Sequence, residues 1–262
     1  MTPKSHVQEW AKEVPWQEMR QVEQDLIITR ALLQLYKAPL IQKNLAFRGG
    51  TALNKLFFKP ARRYSEDIDL VQTHSGPIGP ILDAVREALD SWLGEPKRSF
   101  SDGCITLTYK TQSSEGFPIR LKVEINSREH FSVFGLKDYP FAISSSWSQE
   151  VVTISSYRLE ELLGTKMRAL YQRRKGRDLF DLYMALTTIN ELQPQDIVHC
   201  FSEYMNFGGH KVTKALFIDN MDQKLKNRDF LGDMLPLLPK RQVPFDPELA
   251  YAHVREQLIN HL

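Results

Sequence analysis

The stretch FRGGTALNKLFFKPARRYSEDIDL, Phe47 to Leu70, sets two adjacent glycines ahead of a threonine and ends on two aspartates that flank one isoleucine. The residues before it, LAFR (45–48), read as a short strand. TALNKLFF (51–58) reads as a short helix and SEDIDLVQ (65–72) as a second strand, because polar and apolar residues alternate along it. Alternation puts Asp67 and Asp69 on one face and Ile68 and Leu70 on the other. Two carboxylates side by side repel, which raises at least one pKa unless a cation sits between them. Hard divalent cations take oxygen ligands, and magnesium also brings nucleotide phosphates. A plain reading of Asp67 and Asp69 is a solvated strand face. Gly49 and Gly50 have two readings as well. One is a turn that needs positive φ. The other is a phosphate cradle in which the backbone approaches a triphosphate and Thr51 offers a hydroxyl and an amide at a helix start.

A third acid lies further on. In PIRLKVEIN (118–126), Ile119, Leu121, Val123 and Ile125 form one face, and Arg120, Lys122, Glu124 and Asn126 the other. If this strand pairs beside 65–72 with apolar faces matched, Glu124 shares a surface with Asp67 and Asp69. Three acids on adjacent strands suit a two-metal site that aligns a nucleophile with a pyrophosphate leaving group. Taken alone, Glu124 reads first as the cross-strand partner of a Lys or Arg; beside the Gly-Gly-Thr and Asp-x-Asp blocks the metal reading takes over. Ser65, two residues before Asp67, falls on the same face, where it would bond a phosphate or a metal-bound water. A phosphate attached to Ser65 would compete with the nucleotide for the same cations.

Working outward, residues 16–37 and about 80–93 read as helices, and 104–110, 118–126 and 150–155 as strands. From Arg158 onward the pattern is helical. The expected class is α+β: a mixed-sheet lobe with an N-terminal helix over 1–156, then a helical lobe over 157–262. Residues 159–174 form an amphipathic helix with Leu159, Leu162, Leu163, Met167 and Leu170 on one stripe. Lys166 and Arg173 fall on that stripe too. An unpaired charge on an apolar face is costly, so Lys166 either meets a nucleotide phosphate, with Arg173 as a second contact, or snorkels or pairs with an acid. Arg168, Arg173, Arg174, Lys175 and Arg177 crowd ten residues, and Arg62 and Arg63 lie beside the carboxylate strand. A basic rim around an acidic centre suits a polyanionic acceptor such as RNA.

The 262 residues are 42% hydrophobic and 25% charged, with a net charge of +2, which is ordinary for a globular chain. No apolar run approaches the roughly 18 residues that cross a bilayer. The N-terminus has no signal-peptide core. Cys104 and Cys200 lack metal-ligand spacing, and the simplest setting is a reduced cytoplasm without membrane attachment.

The order GGT, then DID, then a later strand with one acid resembles the DNA polymerase β-type nucleotidyltransferase superfamily. FRGGTALNKLF, RYSEDIDLV and LLGTKMRALYQRRKGRDLFDLY together are similar to the AbiEii/AbiGii family of bacterial toxins, which includes the MenT toxins. The likeness spans roughly residues 45–185. It implies a nucleotidyltransferase fold and a Mg2+- or Mn2+-dependent transfer of NMP from an NTP, with pyrophosphate released. The acceptor implied is the 3′ end of tRNA, in a toxin–antitoxin or phage-defence setting with a cognate antitoxin. Asp67, Asp69 and Glu124 would hold metal. Gly49, Gly50, Thr51, Ser65, Lys166 and Arg173 would bind nucleotide. Lys166 and Asp178 would join the catalytic set, with Asp178 carried over from the family's Arg-Asp-x-x-Asp run and Asp181 second. A protein acceptor, or a non-catalytic module that binds RNA or protein on the same fold, is the alternative. Which NTP is used, the oligomeric state and the antitoxin's mode of action are not legible.

Overall fold

The computed structural model describes residues 2–143, 145–239 and 245–262. Two compact units divide the chain, Met1–Tyr157 and Arg158–Leu262.

The first unit is built on a seven-stranded mixed sheet. In chain order its elements are α1 (Lys4–Trp10), α2 (Met19–Lys37), α3 (Pro39–Asn44), β1 (Leu45–Arg48), α4 (Gly49–Ala52, continued by a π-helical turn over Leu53–Phe57), β2 (Asp67–Gln72), α5 (Gly79–Leu93), β3 (Lys97–Ser101), β4 (Cys104–Gln112), β5 (Pro118–Asn126), β6 (Leu136–Ala142) and β7 (Val151–Tyr157). The strand order is β3-β4-β5-β2-β1-β7-β6. β2 runs antiparallel to β1 and parallel to β5, and β1 runs parallel to β7. α2, α3 and α5 lie against the sheet. Ile68, Leu70, Leu107, Leu121, Val123 and Ile125 are buried. The alternate residues Asp67, Asp69, Thr106, Thr108, Lys122 and Glu124 keep partial exposure. This is the one-face-buried pattern that sequence alternation encodes.

The expected strands and helices of the first unit are present, with differences at their ends. β2 begins at Asp67 rather than 65, so Ser65 precedes the strand and does not share its face by alternation. Four elements were not anticipated: α1, α3, β3 and β6. β3 is an edge strand exposed along its whole length, so no apolar alternation marks it. α3 begins on Pro39, whose fixed φ suits a first helical turn.

The second unit comprises α6 (Leu159–Gln172), α7 (Gly176–Thr188), α8 (Pro194–Phe207), α9 (Lys214–Lys224), α10 (Arg228–Gly232) and α11 (Pro247–Gln257). α6 packs on α7 and α8, and α11 on α7. Gly164 makes the α6–α8 approach possible, since a Cβ there would lie 2.5 Å from the Cβ of Cys200. α6 stops at Gln172, so Arg173 sits beyond the helix in extended backbone and not on its stripe.

Candidate active site

In the first unit the register decides which side chains meet. Asp69 stands opposite Glu124 on β5 and opposite Arg48 on β1, and Asp67 stands opposite Lys122. Directly opposed residues project to the same side of a sheet, so Asp67, Asp69 and Glu124 share one face, as the matched apolar pattern predicted. Lys122 is on it too, its ammonium 3.9 Å from Glu124.

The glycine turn is pressed against this face. Gly49 has φ +82°, and a Cβ there would lie 2.0 Å from Oδ2 of Asp69. Both the backbone conformation and the space therefore demand glycine. At Gly50 a Cβ would lie 2.1 Å from Nη2 of Arg63. Arg63 is buried and donates from Nη1 to the Tyr64 carbonyl at 3.0 Å. Asn54 ties the same loop down. Its Nδ2 donates to the Gly50 carbonyl at 2.9 Å, and its Oδ1 accepts from the amides of Arg62 (2.9 Å) and Arg63 (3.3 Å).

Thr51 and Ser65 are brought together, with hydroxyls 2.7 Å apart. The Thr51 hydroxyl donates to the Asp67 carbonyl, so Ser65 is the donor within the pair. Thr51 is buried, and its hydroxyl holds the start of β2 against the glycine turn. Arg48 was not anticipated. It forms a 2.6 Å ion pair with Glu129, whose amide donates to Asn126 Oδ1 at 3.0 Å. Burial works against the Arg48 charge, but Glu129 and Asp69 outweigh it, and its pKa is held above the ordinary value. Its position next to Gly49 was the only sequence signal for it.

The electrostatics mark Asp67. Burial pushes its carboxyl up to about 6; Lys122 opposes the rise, and Asp69, Glu124 and Glu66 add to it. A carboxylate held out of water among other acids is stabilised by a cation. The donors are all hard oxygens, the set that suits Mg2+ or Mn2+. Among the described residues no three His, Cys, Asp or Glu side chains already converge as a ligand cluster. The chemistry of the donors therefore fits a divalent ion, without a preformed cage.

The second unit holds the other candidates. The Lys166 ammonium is buried, 3.0 Å from Asp181 Oδ2 and 3.3 Å from Asp178 Oδ1. Both carboxylates are fully buried. Arg173 reaches back to grip Asp178 with two parallel bonds, Nε to Oδ2 at 2.7 Å and Nη2 to Oδ1 at 2.8 Å. Lys166 and Arg173 were expected to lie on phosphates; here they are the cations of one ion cluster. Asp178 and Asp181 both belong to it. Lys224 was missed altogether. It donates to the carbonyls of Leu170 and Tyr171 at the end of α6, the latter at 2.8 Å. No spacing rule links α9 to α6, so only the packing reveals it.

The family model described as nucleotidyl transferase AbiEii toxin, type IV TA system, matches residues 30–252. No curated protein matches the chain. Among solved structures, the nucleotidyltransferase toxin MenT4 from Mycobacterium tuberculosis H37Rv superposes with a TM-score of 0.66 at 15% identity, over 100% of this chain and 90% of that one. JHP933 from Helicobacter pylori gives 0.58 at 17% identity, over 92% and 91%. A putative nucleotidyltransferase from H. pylori gives 0.58 at 15%, over 92% and 94%. At these identities the superpositions speak for the fold. Among the described residues no helix is long and apolar enough to cross a membrane. The family match covers most of the chain, including the glycine turn, the three acids and the ion cluster of the second unit, and this chain belongs to the AbiEii nucleotidyltransferase toxin family.

Proposed function

We propose that this chain transfers NMP from an NTP to an RNA acceptor, the 3′ end of tRNA, releasing pyrophosphate. It would act in the cytoplasm as the toxin of a toxin–antitoxin pair whose antitoxin is its natural partner. The observation that carries the reading is Asp69, opposed by Glu124 and packed against a glycine that has no room for a side chain. That contact leaves bare glycine backbone at the edge of the acidic face, and bare backbone N–H groups beside cation-binding acids suit a metal-bound phosphate chain.

In this reading Asp67 and Asp69, with Glu124, would hold Mg2+ or Mn2+, which supplies neutralising charge to the triphosphate and acidifies the acceptor hydroxyl. Gly49 and Gly50 admit the phosphates to the backbone. Thr51 and Ser65 hold the turn against β2 rather than binding phosphate through their hydroxyls. Glu124, partly exposed, accepts the proton of the attacking hydroxyl. The second unit's candidates, Lys166, Arg173 and Asp178, are held together with Asp181 in one ion cluster.

The test is incubation with each labelled NTP and total cell RNA, with and without Mg2+, followed by separation of RNA from protein. Label should enter small RNA with one NTP, and the Asp69→Asn chain should transfer nothing. Label in protein alone would replace RNA by a protein acceptor. RNA binding with no label anywhere would favour a non-catalytic module. Expression without antitoxin should arrest bacterial growth, and Asp69→Asn should not.

A further inference from the structure

The face that carries the three acids does not end with them. On β4 the partners of Glu124 and Lys122 are Thr106 and Thr108, and on β3 the partner of Thr108 is Lys97. One row therefore runs Asp67, Lys122, Thr108, Lys97 across four strands. With strands about 4.8 Å apart, Lys97 lies roughly 14 Å from Asp67. The next row along the strands pairs Lys110 with Arg120. From Glu124 the chain of β5 thus steps through Lys122 to Arg120 on one side of the sheet, at roughly 7 Å per step.

Three features make this row unusual for a plain surface. Lys110 and Arg120 are like charges directly opposite one another, an arrangement that destabilises a sheet. Lys97, Lys110 and Arg120 are all exposed, and none of the three makes an ion pair among the described residues. The acid nearest them at the β4–β5 turn, Glu115, is itself taken by Lys4 at 3.8 Å. Between the cations and the acids lie the small hydroxyls Thr106 and Thr108 and one further cation, Lys122, whose ammonium is 3.9 Å from Glu124 and continues the positive row up to the acids. Lysines on an edge strand also guard against edge-to-edge association, but that role asks nothing of Lys110 and Arg120, which lie on interior strands.

We infer that Lys97, Lys110 and Arg120 form a track that binds the phosphodiester backbone of a polynucleotide and leads its end to Asp67, Asp69 and Glu124. The inference rests on the reading of those acids as a nucleotidyl-transfer centre and names the surface that takes the acceptor. The cations bind by charge, and none of the paired strand residues in these rows is aromatic, so binding is sequence-tolerant and strongly salt-dependent.

The experiment compares the intact chain with the triple variant Lys97→Gln/Lys110→Gln/Arg120→Gln, and with a control triple on the second unit, Lys211→Gln/Lys214→Gln/Lys226→Gln. Filter binding to a labelled single-stranded RNA, without NTP, is measured from 50 to 300 mM salt. NTP binding and melting temperature are measured on the same proteins. The track variant should bind RNA on the order of tenfold or more weakly, and its log–log salt slope should be shallower by about 2, three contacts at about 0.7 each. Its NTP affinity should be unchanged, and its melting temperature held or raised by relief of the Lys110–Arg120 repulsion. Charge-keeping Lys97→Arg/Lys110→Arg should bind as the intact chain does. An unchanged slope in the track variant, an equal loss in the control triple, or no salt-dependent RNA binding by the intact chain would each overturn the track. Track-dependent RNA binding by a chain that transfers no nucleotide would keep the track and sink the transfer reading instead.

Discussion

Gly49 and Asp69 define the site at the scale of single residues, because each limits what the other can be. Gly49→Ala would place a methyl 2.0 Å from the Asp69 carboxylate in a backbone conformation with φ +82°. The left-handed backbone alone costs about 1–2 kcal/mol for a residue with a Cβ, and Asp69 must move as well. The variant should therefore lose transfer by more than its loss of stability explains, which parallel melting and activity measurements would reveal. The acids behave in the opposite sense. Asp67→Asn removes a carboxylate that burial and three acidic neighbours disfavour, so at pH 7.5 without metal its melting temperature should hold or rise while transfer disappears. A variant that melts lower and still transfers would remove Asp67 from the site.

At the scale of elements, the α6–α7 pair is held by charge as well as by its apolar stripe. Lys166 was expected to project from that stripe, and burying it is tolerated only because Asp178 and Asp181 are within reach. Lys166→Met takes the ammonium away from both buried carboxylates, Asp178 and Asp181, and breaking one side of a buried pair costs about 3–5 kcal/mol. Adding Asp181→Leu should restore part of that loss, because an apolar pair replaces a buried charge that has lost the Lys166 ammonium. Denaturant unfolding of the single and double variants checks both. Lys224 adds a pH signature. Burial lowers its pKa to about 8, Asp178 opposing and Arg174 reinforcing the shift. Above that value the native chain has released a proton that the unfolded chain keeps until about pH 10.4. Where the unfolded state holds more protons, stability rises with pH. The melting temperature of the intact chain minus that of Lys224→Met should therefore increase between pH 7 and 9.5. A flat difference would mean that Lys224 keeps its proton in the native state.

At the scale of the whole molecule, nucleotide and metal should act as one ligand. The acids of the first unit repel one another and a bare triphosphate alike, so NTP alone should stabilise the chain little. With Mg2+ and NTP at about a hundred times the dissociation constant, the gain is about 2.7 kcal/mol, or several degrees in melting temperature for a chain of this size. A chelator should abolish it, and Asp69→Asn should not show it. An equal shift from NTP without Mg2+ would argue against metal at Asp67 and Asp69.

Local chemistry was enough to read the parts of the site that lie close in sequence. Strand alternation put Asp67 and Asp69 on one side and Glu124 on the polar side of 118–126, because side-chain direction along a strand is a local property, but only strand order and register brought the two polar faces together. The glycine turn was legible for the same reason, and the ordered blocks around it were enough to suggest the family. What had no local signature came only with the fold. β3 carries no apolar pattern, so the row from Lys97 to Asp67 exists only through strand order and register. The inward hydroxyls of Thr51 and Ser65 depend on where the loop before β2 returns. Arg48 found Glu129 across a sheet end, and Lys224 found α6 through helix packing. Helical periodicity showed that Lys166 points inward; whether carboxylates would meet it there depended on how α7 packs, since a buried charge takes the partner that tertiary contacts bring within reach.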